Sequence, residues 1–437
     1  MSALKKYQNK KIAIYGMGIT GHSAALALRK LKAKIYCWDD NKNVRQKTKN
    51  LNFKVKKFWL DKSPVNKIII SPGIDIRKCK INNYLKKNIK KIITDLDLFF
   101  ELNKEIPLIS ITGTNGKSTT CKIIEKILKV AKFNVKTLGN IGNPILFSNK
   151  YGKKNVLIFE ISSYQLEYSK PFRSRHAAIL NISPDHLDRH KNIKNYMKIK
   201  SKIFFKQKNS DYSYINSENK YSKPIKKIIK IKKIKSKLVN IKRSNCNFFL
   251  NKINNNYFKS KGNIENLSFA YKMAKNLKIK DKIIVEAINK FKGLPHRQEI
   301  IYSSKKLLCI NDSKATSFEA SFQSLSNFNN IYWIVGGLPK YKDSFYFKNI
   351  KKNIVKAYII GKNISFFKKK IKKNIEYKIS KNIKNALDDI SRDLKLNSNI
   401  TNTILLSPAA ASFDQFNNFE NRGNYFKSLI KKKFKKR

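Results

Sequence analysis

The feature of this chain that most restricts its fold is a glycine-rich turn between a β-branched run and a segment with helical spacing. Residues 109–120 read ISITGTNGKSTT, and CKIIEKILKV follows directly. A strand that ends in such a turn and continues as a helix is the repeating unit of a parallel α/β sheet. The first N–H groups of the helix lack helical partners and attract anions, so the stretch predicts a phosphate-binding loop.

The loop departs from Walker spacing, because Ile111 stands five residues before Gly116, where that motif has glycine. The order of strand, glycine loop, lysine, hydroxyls and helix is nevertheless that of a nucleotide site. Lys117 would hold the β- and γ-phosphates, and Ser118 or Thr119 offers a hydroxyl to Mg²⁺. The predicted ATP-binding loop consists of Gly113, Thr114, Asn115, Gly116, Lys117, Ser118 and Thr119.

The same succession of strand, loop and helix restarts twice along the chain, before and after this loop. KIAIYG opens a first βαβ series, PLISIT opens the second, and KLLCINDSKAT opens the third. The predicted fold class is therefore α/β with three domains: a Rossmann-like N-terminal domain (1–96), a central P-loop ATPase-like domain (97–298) and a Rossmann-like C-terminal domain (299–437). The basic stretch after Lys223 partly alternates Ile with Lys and predicts half-buried strands.

The first strand leads into GMGITG, which fits GxGxxG, and Asp39 or Asp40 follows about 20 residues later. Glycines there let the backbone approach a pyrophosphate, but any nucleoside diphosphate carries the same charge. A purely structural tight turn is an equal alternative for these residues.

Polar side chains follow two further predicted strands. Glu160 comes after VLIF, and Asp185, His186 and Asp188 follow AAILNI. Polar groups at strand ends lie where α/β proteins bind ligands, which makes Glu160 a candidate metal carboxylate. A single histidine such as His186 is more often a capping or packed residue. Lys200 lies in a segment that looks like an ordinary solvated helix face.

The composition bears on the binding partners of the protein rather than on its fold. Lys and Arg number 95 against 28 Asp and Glu, giving a formal net charge of +67, which suggests nucleic acid. The lysines occur in every segment, however, and arginine is scarce, so we expect no nucleic-acid partner. The five cysteines have no metal-ligand spacing, and no apolar run approaches about 18 residues. We expect a cytoplasmic monomer without an integral membrane segment.

Several segments together carry a family resemblance. GTNGKST, EISSYQLE, NISPDHLDRH, GLPHRQE, NDSKAT and LLSPAAASFDQFNNFENRG, in this order, resemble the ATP-dependent Mur ligases of peptidoglycan precursor synthesis over essentially the whole chain. GLPHR and the last segment are most similar to the branch that adds D-glutamate. Folylpolyglutamate synthetase shares the phosphate loop, but it has no place for the first βαβ series or the last segment. A basic nucleic-acid-binding ATPase is suggested by charge alone.

The resemblance implies a reaction in two steps. The γ-phosphoryl group of ATP moves to the carboxylate of a UDP-linked muramoyl-alanine, and the amine of D-glutamate attacks the acyl phosphate. It implies Lys117, Glu160, His186 and Lys200 as catalytic residues and two Mg²⁺ sites, the first at Ser118, Thr119 and Glu160. The second would be held by His186 and by Lys200 as a CO₂-derived carbamate. Lys200 is chosen because Tyr196 precedes it by four residues, while Lys198 and Lys202 are close enough to leave the assignment open.

The remaining implied residues fall into three groups. Those expected at the UDP-linked substrate are Ile19, Thr20, Asp39, Gly73, Asn140 and His186. Those expected at the nucleotide, besides the loop, are Asn263, Asn266, Arg297, Asp312 and Lys314. Those expected at D-glutamate are Thr316, Lys340, Ser412 and the backbone of Phe419.

Overall fold

The computed structural model of the chain describes residues 3–140, 142–146, 151–152, 155–170, 172–340, 347, 350–394 and 400–434. Within these residues the strands form three sheets, with helices between most successive strands. This confirms the α/β class with three sheet regions.

The first two sheets are entirely parallel. The first has the order β2-β1-β3-β4, and its strands are β1 (Lys11–Tyr15), β2 (Lys34–Trp38), β3 (Lys67–Ile70) and β4 (Ile92–Ile93). The second has the order β10-β9-β8-β5-β7-β6, and its strands are β5 (Leu108–Thr112), β6 (Asn134–Gly139), β7 (Asn155–Glu160), β8 (His176–Ile179), β9 (Tyr212–Asn216) and β10 (Lys237–Ile241).

The third sheet is parallel except for its antiparallel edge strand, β11. Its order is β11-β12-β16-β13-β14-β15, and its strands are β11 (Glu299–Ser303), β12 (Leu307–Asn311), β13 (Ile331–Gly336), β14 (Ile354–Ile360), β15 (Tyr377–Lys381) and β16 (Asn402–Leu406).

Helices connect the strands and cover the sheets. Those before or between the strands of the first two sheets are α1 (Ala3–Tyr7), α2 (Ile19–Lys30), α3 (Lys42–Asn50), α4 (Asn82–Lys87), α5 (Asp95–Leu102), α6 (Lys117–Val130), α7 (Ser163–Tyr168), α8 (Leu187–His190), α9 (Ile193–Ser201) and α10 (Ser222–Ile231). The later helices are α11 (Asn247–Leu250), α12 (Lys261–Asn276), α13 (Asp281–Asn289), α14 (Phe318–Asn327), α15 (Ile364–Ile371), α16 (Ile383–Asp393) and α17 (Phe419–Phe434). No helix in the described part of the chain combines the length and apolarity needed to cross a membrane.

The chain divides into two compact units. One comprises Met1–Phe258 with Asn263–Phe291 and contains the first two sheets; the other comprises Lys259–Gly262 with Lys292–Arg437 and contains the third. A continuous apolar cluster within the first unit joins residues of both its sheets, from Leu28 on α2 to Phe159 on β7. The residue limits of the three predicted domains remain predictions.

One local prediction is wrong. The stretch after Lys223, expected as strands, begins as helix α10, and only Lys237–Ile241 is a strand. Ile225 and Ile229, four residues apart, are both buried in α10, so the apolar period is that of an amphipathic helix. The partial Ile–Lys alternation concealed that period.

The second sheet contains a buried histidine with specific partners. The ring of His176 on β8 is stacked 5.1 Å from that of Tyr212, and its Nδ1 lies 2.9 Å from the hydroxyl of Tyr214. That hydroxyl also accepts a hydrogen bond from Nδ2 of Asn276 at 2.8 Å. Burial lowers the pKa of His176 to about 4. The ring is therefore neutral in the folded protein at neutral pH.

This histidine is expected to make the first unit acid-sensitive. The unfolded chain takes up a proton near pH 6.5, while the folded chain resists it until about pH 4. Stability from this residue is thus complete above about pH 6.5 and falls by on the order of 3 kcal/mol as the pH drops to 4. Urea unfolding followed by circular dichroism should show that the free energy of unfolding falls less between pH 6.5 and pH 4 in His176→Phe than in the wild type. An equal fall in the two proteins would contradict the assignment of this acid sensitivity to His176.

Candidate active site

The phosphate loop lies at the carboxyl edge of the second sheet because of how three strands pair. β5 is central and pairs in parallel with β7 on one side and β8 on the other. The segments that follow these three strands are the loop at Gly113, the segment after Glu160 and the segment after Ile179. Parallel pairing therefore brings together the polar groups that the sequence places at strand ends.

The glycine at the end of the loop is required by both conformation and space. Gly116 precedes α6 with φ of 80°, a left-handed conformation that costs other residues energy. A Cβ at this position would lie 2.2 Å from Oδ1 of Asn266. Oδ1 of Asn266 also accepts a hydrogen bond from Thr120 at 3.2 Å. Asn266, predicted at the nucleotide, thus packs directly against the loop.

Two residues after β8 hold the loop in shape. The N–H of Asn115 donates to Oδ1 of Asn181 at 2.9 Å, and the N–H of Thr114 donates to the Asn181 carbonyl at 3.0 Å. The Thr114 hydroxyl accepts from the N–H of Ser183 at 3.0 Å. Asn181 and Ser183 were not among the site residues predicted from the sequence. Their position directly after a strand could have identified them.

Two lysine amines meet at the loop carbonyls. Nζ of Lys117 donates to the carbonyls of Gly113 at 2.9 Å and Thr114 at 2.7 Å. Nζ of Lys200, on α9, donates to the same Gly113 carbonyl at 2.9 Å and to the Thr112 hydroxyl at 3.2 Å. The Lys200 side chain is 1% exposed. Burial, reinforced by the Lys117 charge, holds the pKa of Lys200 well below its ordinary value.

A buried carboxylate lies beside the start of α6. Glu160 is 1% exposed; one of its oxygens accepts from the Ser118 hydroxyl at 2.6 Å and the other from Nδ2 of Asn140 at 2.9 Å. Thr119 is buried on the same first helical turn. A carboxylate and a hydroxyl in contact next to a phosphate loop are the oxygen ligands that Mg²⁺ prefers. Within the described residues no group of three or more His, Cys, Asp or Glu side chains could hold a metal ion.

His186 precedes α8 and has a positive φ of 53°. Its Nδ1 lies 2.9 Å from the Tyr164 hydroxyl, and its Nε2 lies 3.4 Å from the Asp185 carboxylate. The ring is therefore fixed from both nitrogens, by α7 and by its own loop. Tyr164 is a third residue that was not predicted from the sequence.

A cavity of about 580 Å³ joins these groups to the first sheet. All six residues predicted for the UDP-linked substrate line it, and so do Lys117 and Lys200. The remaining lining residues include Ser162, Ser163, Tyr164, Gln165 and Tyr196. The first sheet and the phosphate loop thus face one shared space.

The two adjacent acids after β2 have different surroundings. Asp39 lines the cavity, and its carboxylate accepts from the N–H groups of Met17 at 2.7 Å and Asn41 at 2.9 Å. Asp40 instead accepts from the Tyr15 hydroxyl at 2.7 Å. Asp40 is therefore hydrogen-bonded within the first sheet region, and Asp39 is the acid that faces the cavity.

In the second unit, the predicted residues follow three adjacent strands. Asp312 follows β12, Lys340 follows β13 and Ser412 follows β16, which lies between those two strands. The last two loops are joined, since Leu338 and Ala411 exchange backbone hydrogen bonds of 2.9 Å. These residues therefore share the carboxyl edge of the third sheet, where α/β proteins bind ligands.

Around that edge the other predicted side chains have specific contacts. Asp312 accepts from the Ser407 hydroxyl at 2.9 Å and the Gln298 N–H at 3.2 Å, and burial raises its pKa to about 6. The Lys314 amine lies 3.6 Å from the centre of the Phe419 ring, and the Phe419 carbonyl accepts from the Ser313 hydroxyl at 2.8 Å. Arg297 and Thr316 lie in the segments flanking β11 and β12.

Asn263 belongs to the first unit, where its side-chain amide donates to the Tyr257 carbonyl at 2.8 Å.

Comparison with known proteins shows which proteins this chain resembles in sequence. Residues 111–285 match the Mur ligase middle domain. A UDP-N-acetylmuramoylalanine–D-glutamate ligase of Rickettsia felis is 35% identical to this chain over 98% of both sequences. The corresponding ligase of Rickettsia prowazekii is 34% identical over 98% of this chain and 99% of its own, and that of Buchnera aphidicola is 35% identical over 98% of both.

Solved structures agree at the level of the fold. The MurF ligase of Thermotoga maritima in complex with ADP has a TM-score of 0.55 at 13% identity, covering 99% of this chain and 97% of that one. The UDP-N-acetylmuramate–alanine ligase MurC of Thermotoga maritima has a TM-score of 0.53 at 14% identity, covering 97% and 99%. The architecture is thus shared over the full length.

Replacement of Gly116 by alanine should weaken nucleotide binding. The left-handed backbone and the contact with Asn266 would force the loop or the start of α6 to move, so we expect ADP affinity to fall at least about tenfold, measured by calorimetry. Gly18→Ala is the matched control, because no heavy atom lies within 4 Å of a Cβ at Gly18. Equal ADP affinities in the two variants would contradict this role of Gly116.

Proposed function

Because the chain belongs to the Mur ligase family, and within it to the UDP-N-acetylmuramoylalanine–D-glutamate ligases, we propose that it joins D-glutamate to UDP-N-acetylmuramoyl-L-alanine. ATP is converted to ADP and phosphate in this reaction of peptidoglycan precursor synthesis. The observation that carries the proposal is that Lys117 and Lys200 line the same cavity as the six residues predicted for the UDP-linked substrate, His186 among them. The acceptor carboxylate and the phosphate donor would thus meet in one space.

The first step makes the substrate carboxylate reactive. One of its oxygens forms a bond to the γ-phosphorus of ATP while the bond from that phosphorus to ADP breaks. The N–H groups at the start of α6 and the ammonium of Lys117 would hold the phosphates in place. Preorganised donors of this kind stabilise the charge that develops during phosphoryl transfer.

The second step forms the amide. The amine nitrogen of D-glutamate bonds to the acyl carbon, the carbon–oxygen bond to phosphate breaks, and the nitrogen loses a proton. Lys340, Ser412, Thr316 and the Phe419 backbone are proposed to bind the two carboxylates of D-glutamate. Their support is the shared edge of the third sheet, together with the charge of a lysine and the donors of hydroxyl groups.

Two Mg²⁺ ions are proposed at this centre. Ser118, Thr119 and Glu160 would hold the first, and His186 and Lys200 the second. Bound there, the ions would offset negative charge on the transferred phosphoryl group. The Ser118–Glu160 contact of 2.6 Å supports the first set, because it puts a carboxylate and a hydroxyl together next to the loop.

Lys200 is proposed to carry a carbamate. A neutral amine attacks CO₂, forming a nitrogen–carbon bond and releasing a proton, which turns a cation into an anionic oxygen ligand. The support is geometric: Lys200 is buried and donates only to oxygens of Thr112 and Gly113, whereas Lys198 is exposed on the same helix. Among the three lysines that the sequence left open, Lys200 is the one that lines the cavity.

The rival functions have no comparable support. The curated relatives that cover nearly the whole chain are named as D-glutamate ligases, which disfavours the folylpolyglutamate alternative. The alternative of a nucleic-acid-binding ATPase is suggested only by the net charge. The expectation of a cytoplasmic monomer remains a prediction.

ATP turnover should require both other substrates. Phosphate release is expected only when UDP-N-acetylmuramoyl-L-alanine and D-glutamate are present together, since the acyl phosphate is consumed by the amine. Phosphate release can be measured with each substrate omitted and with RNA or a folate added instead. Release that is unaffected by omission of D-glutamate, or stimulated by RNA, would refute the proposal.

Lys200→Ala should lose most of the activity, by at least about a hundredfold in kcat, because a metal-ligating group is removed. Bicarbonate or acetate should restore part of it by supplying a small carboxylate to the vacated space. Lys198→Ala is the matched control on the exposed face of α9 and should retain wild-type rates. Unchanged rates in the Lys200 variant would remove this residue from the site.

A further inference from the structure

Beside the cavity lies an ionic network, buried at Arg189 and Glu167 and exposed at Arg77, to which the function above assigns no role. It consists of Arg189 on α8, Glu167 on α7, and Asp75 and Arg77 in the segment after β3. The side chains of Arg189 and Glu167 are only 8% and 7% exposed. None of the four side chains belongs to the cavity lining.

Arg189 connects two walls of the cavity. One Nη donates to the Ile74 carbonyl at 2.6 Å, and the other lies 3.5 Å from the Gly73 carbonyl. Its Nε donates to the Glu167 carboxylate at 2.7 Å. Gly73 and Ile74 line the cavity, so the backbone that faces the ligand is held from behind by this guanidinium.

Arg77 closes the network from the other side. It donates through two nitrogens to Asp75, at 2.8 and 2.9 Å, and through one of these to the Arg189 carbonyl at 2.6 Å. The same nitrogen lies 3.2 Å from Glu167. Two arginines and two carboxylates balance in charge, and removal of one partner from the buried Arg189–Glu167 pair would leave the other charge uncompensated.

The network also reaches the predicted metal ligand. The Arg189 guanidinium lies 5.2 Å from the centre of the Tyr164 ring, a cation–π contact, and the Tyr164 hydroxyl contacts Nδ1 of His186 at 2.9 Å. His186 is also the residue directly before α8, which carries Arg189. A shift of Arg189 would therefore move both the Gly73–Ile74 backbone and the supports of the His186 ring.

We propose that Arg189 is a positioning residue that fixes the Gly73–Ile74 backbone relative to His186 and thereby sets the affinity for the UDP-linked substrate. It touches no substrate and acts through the carbonyls it binds. The identity of the ligand rests on the proposed function, whereas the coupling between the two walls rests on the contacts alone. The contacts described above do not join the phosphate loop to this network, and we expect nucleotide binding to be unaffected when Arg189 is replaced.

The test compares Arg189→Met with Arg173→Met. Arg173 is the matched control because it too binds a buried carboxylate with two nitrogens, Asp211 at 2.8 Å each, but lies before β8 instead of after it. For Arg189→Met we expect KM and Kd for UDP-N-acetylmuramoyl-L-alanine to rise at least about tenfold, with ADP affinity and KM for D-glutamate unchanged. Arg189→Lys should recover part of the loss, since it keeps the charge and one donor. Arg173→Met should keep the wild-type KM and Kd for the UDP-linked substrate.

A second readout does not depend on the ligand. Amide hydrogen exchange in the segments around Gly73 and His186 should be faster in Arg189→Met than in Arg173→Met and the wild type. Should Arg189→Met fail to fold, Glu167→Gln removes the charge between the two arginines and should give the same pattern with a smaller change.

The outcomes separate the two proposals. If the wild-type protein does not bind the UDP-linked substrate, the proposed function is wrong. The comparison of amide hydrogen exchange would still show whether Arg189 couples the two walls of the cavity. Unchanged exchange and unchanged substrate affinity in the Arg189 variants overturn the positioning role. So does an equal loss of ADP and substrate affinity, since that would indicate general disruption.

Discussion

The parallel pairing of β5 with β7 and β8 is the constraint on which the candidate site depends. In parallel strands all carboxyl ends lie at one edge, so residues far apart in sequence become neighbours once the three strands pair. The Ser118–Glu160 contact and the Asn115–Asn181 contact both follow from this pairing. Glu160 is the last residue of β7, and Asn181 lies two residues beyond β8, so a slip in register would separate these pairs.

The two amines at the loop are a consequence of the same edge. Lys117 and Lys200 both donate to the Gly113 carbonyl, although two like charges in a buried place repel each other. The arrangement is tolerated because a lysine can be buried as the neutral amine, and burial lowers the pKa of Lys200. The proposed function assigns the two amines different partners, phosphate for Lys117 and CO₂ for Lys200.

The phosphate loop was predictable from sequence because its signal is local. Its glycines, lysine and hydroxyls lie within seven consecutive residues, and α6 begins at Lys117 as the motif requires. Lys200 was reached only through resemblance, since nothing local distinguishes it from other lysines. A signal does exist in the helix itself: Tyr196, Met197, Lys200 and Ser201 form the buried face of α9, so a lysine occupies a core-facing position. Asn181 and Tyr164 were missed because their role arises only when separate segments pack.

Adjacent residues set another limit on what sequence could decide. Asp39 and Asp40 fit the motif equally, and only the geometry after β2 separates them, because successive side chains in an extended segment point in opposite directions. Asp39 turns to the glycine turn and the cavity, while Asp40 turns to Tyr15. The choice therefore depends on the exact end of a strand, which composition and spacing leave undetermined.

The net charge of +67 has to be weighed against these contacts. At physiological salt, fields from exposed lysines are screened within about 8 Å, so they act mainly on the rate at which anions meet the protein. ATP, a UDP-linked sugar and D-glutamate are all anions, and so is RNA; a diffuse positive surface attracts them alike. Selection among them must come from groups whose positions are fixed, and the proposed function assigns this role to residues that line the cavity. The lysine excess and the specificity of this protein are therefore separate properties of the same surface and site.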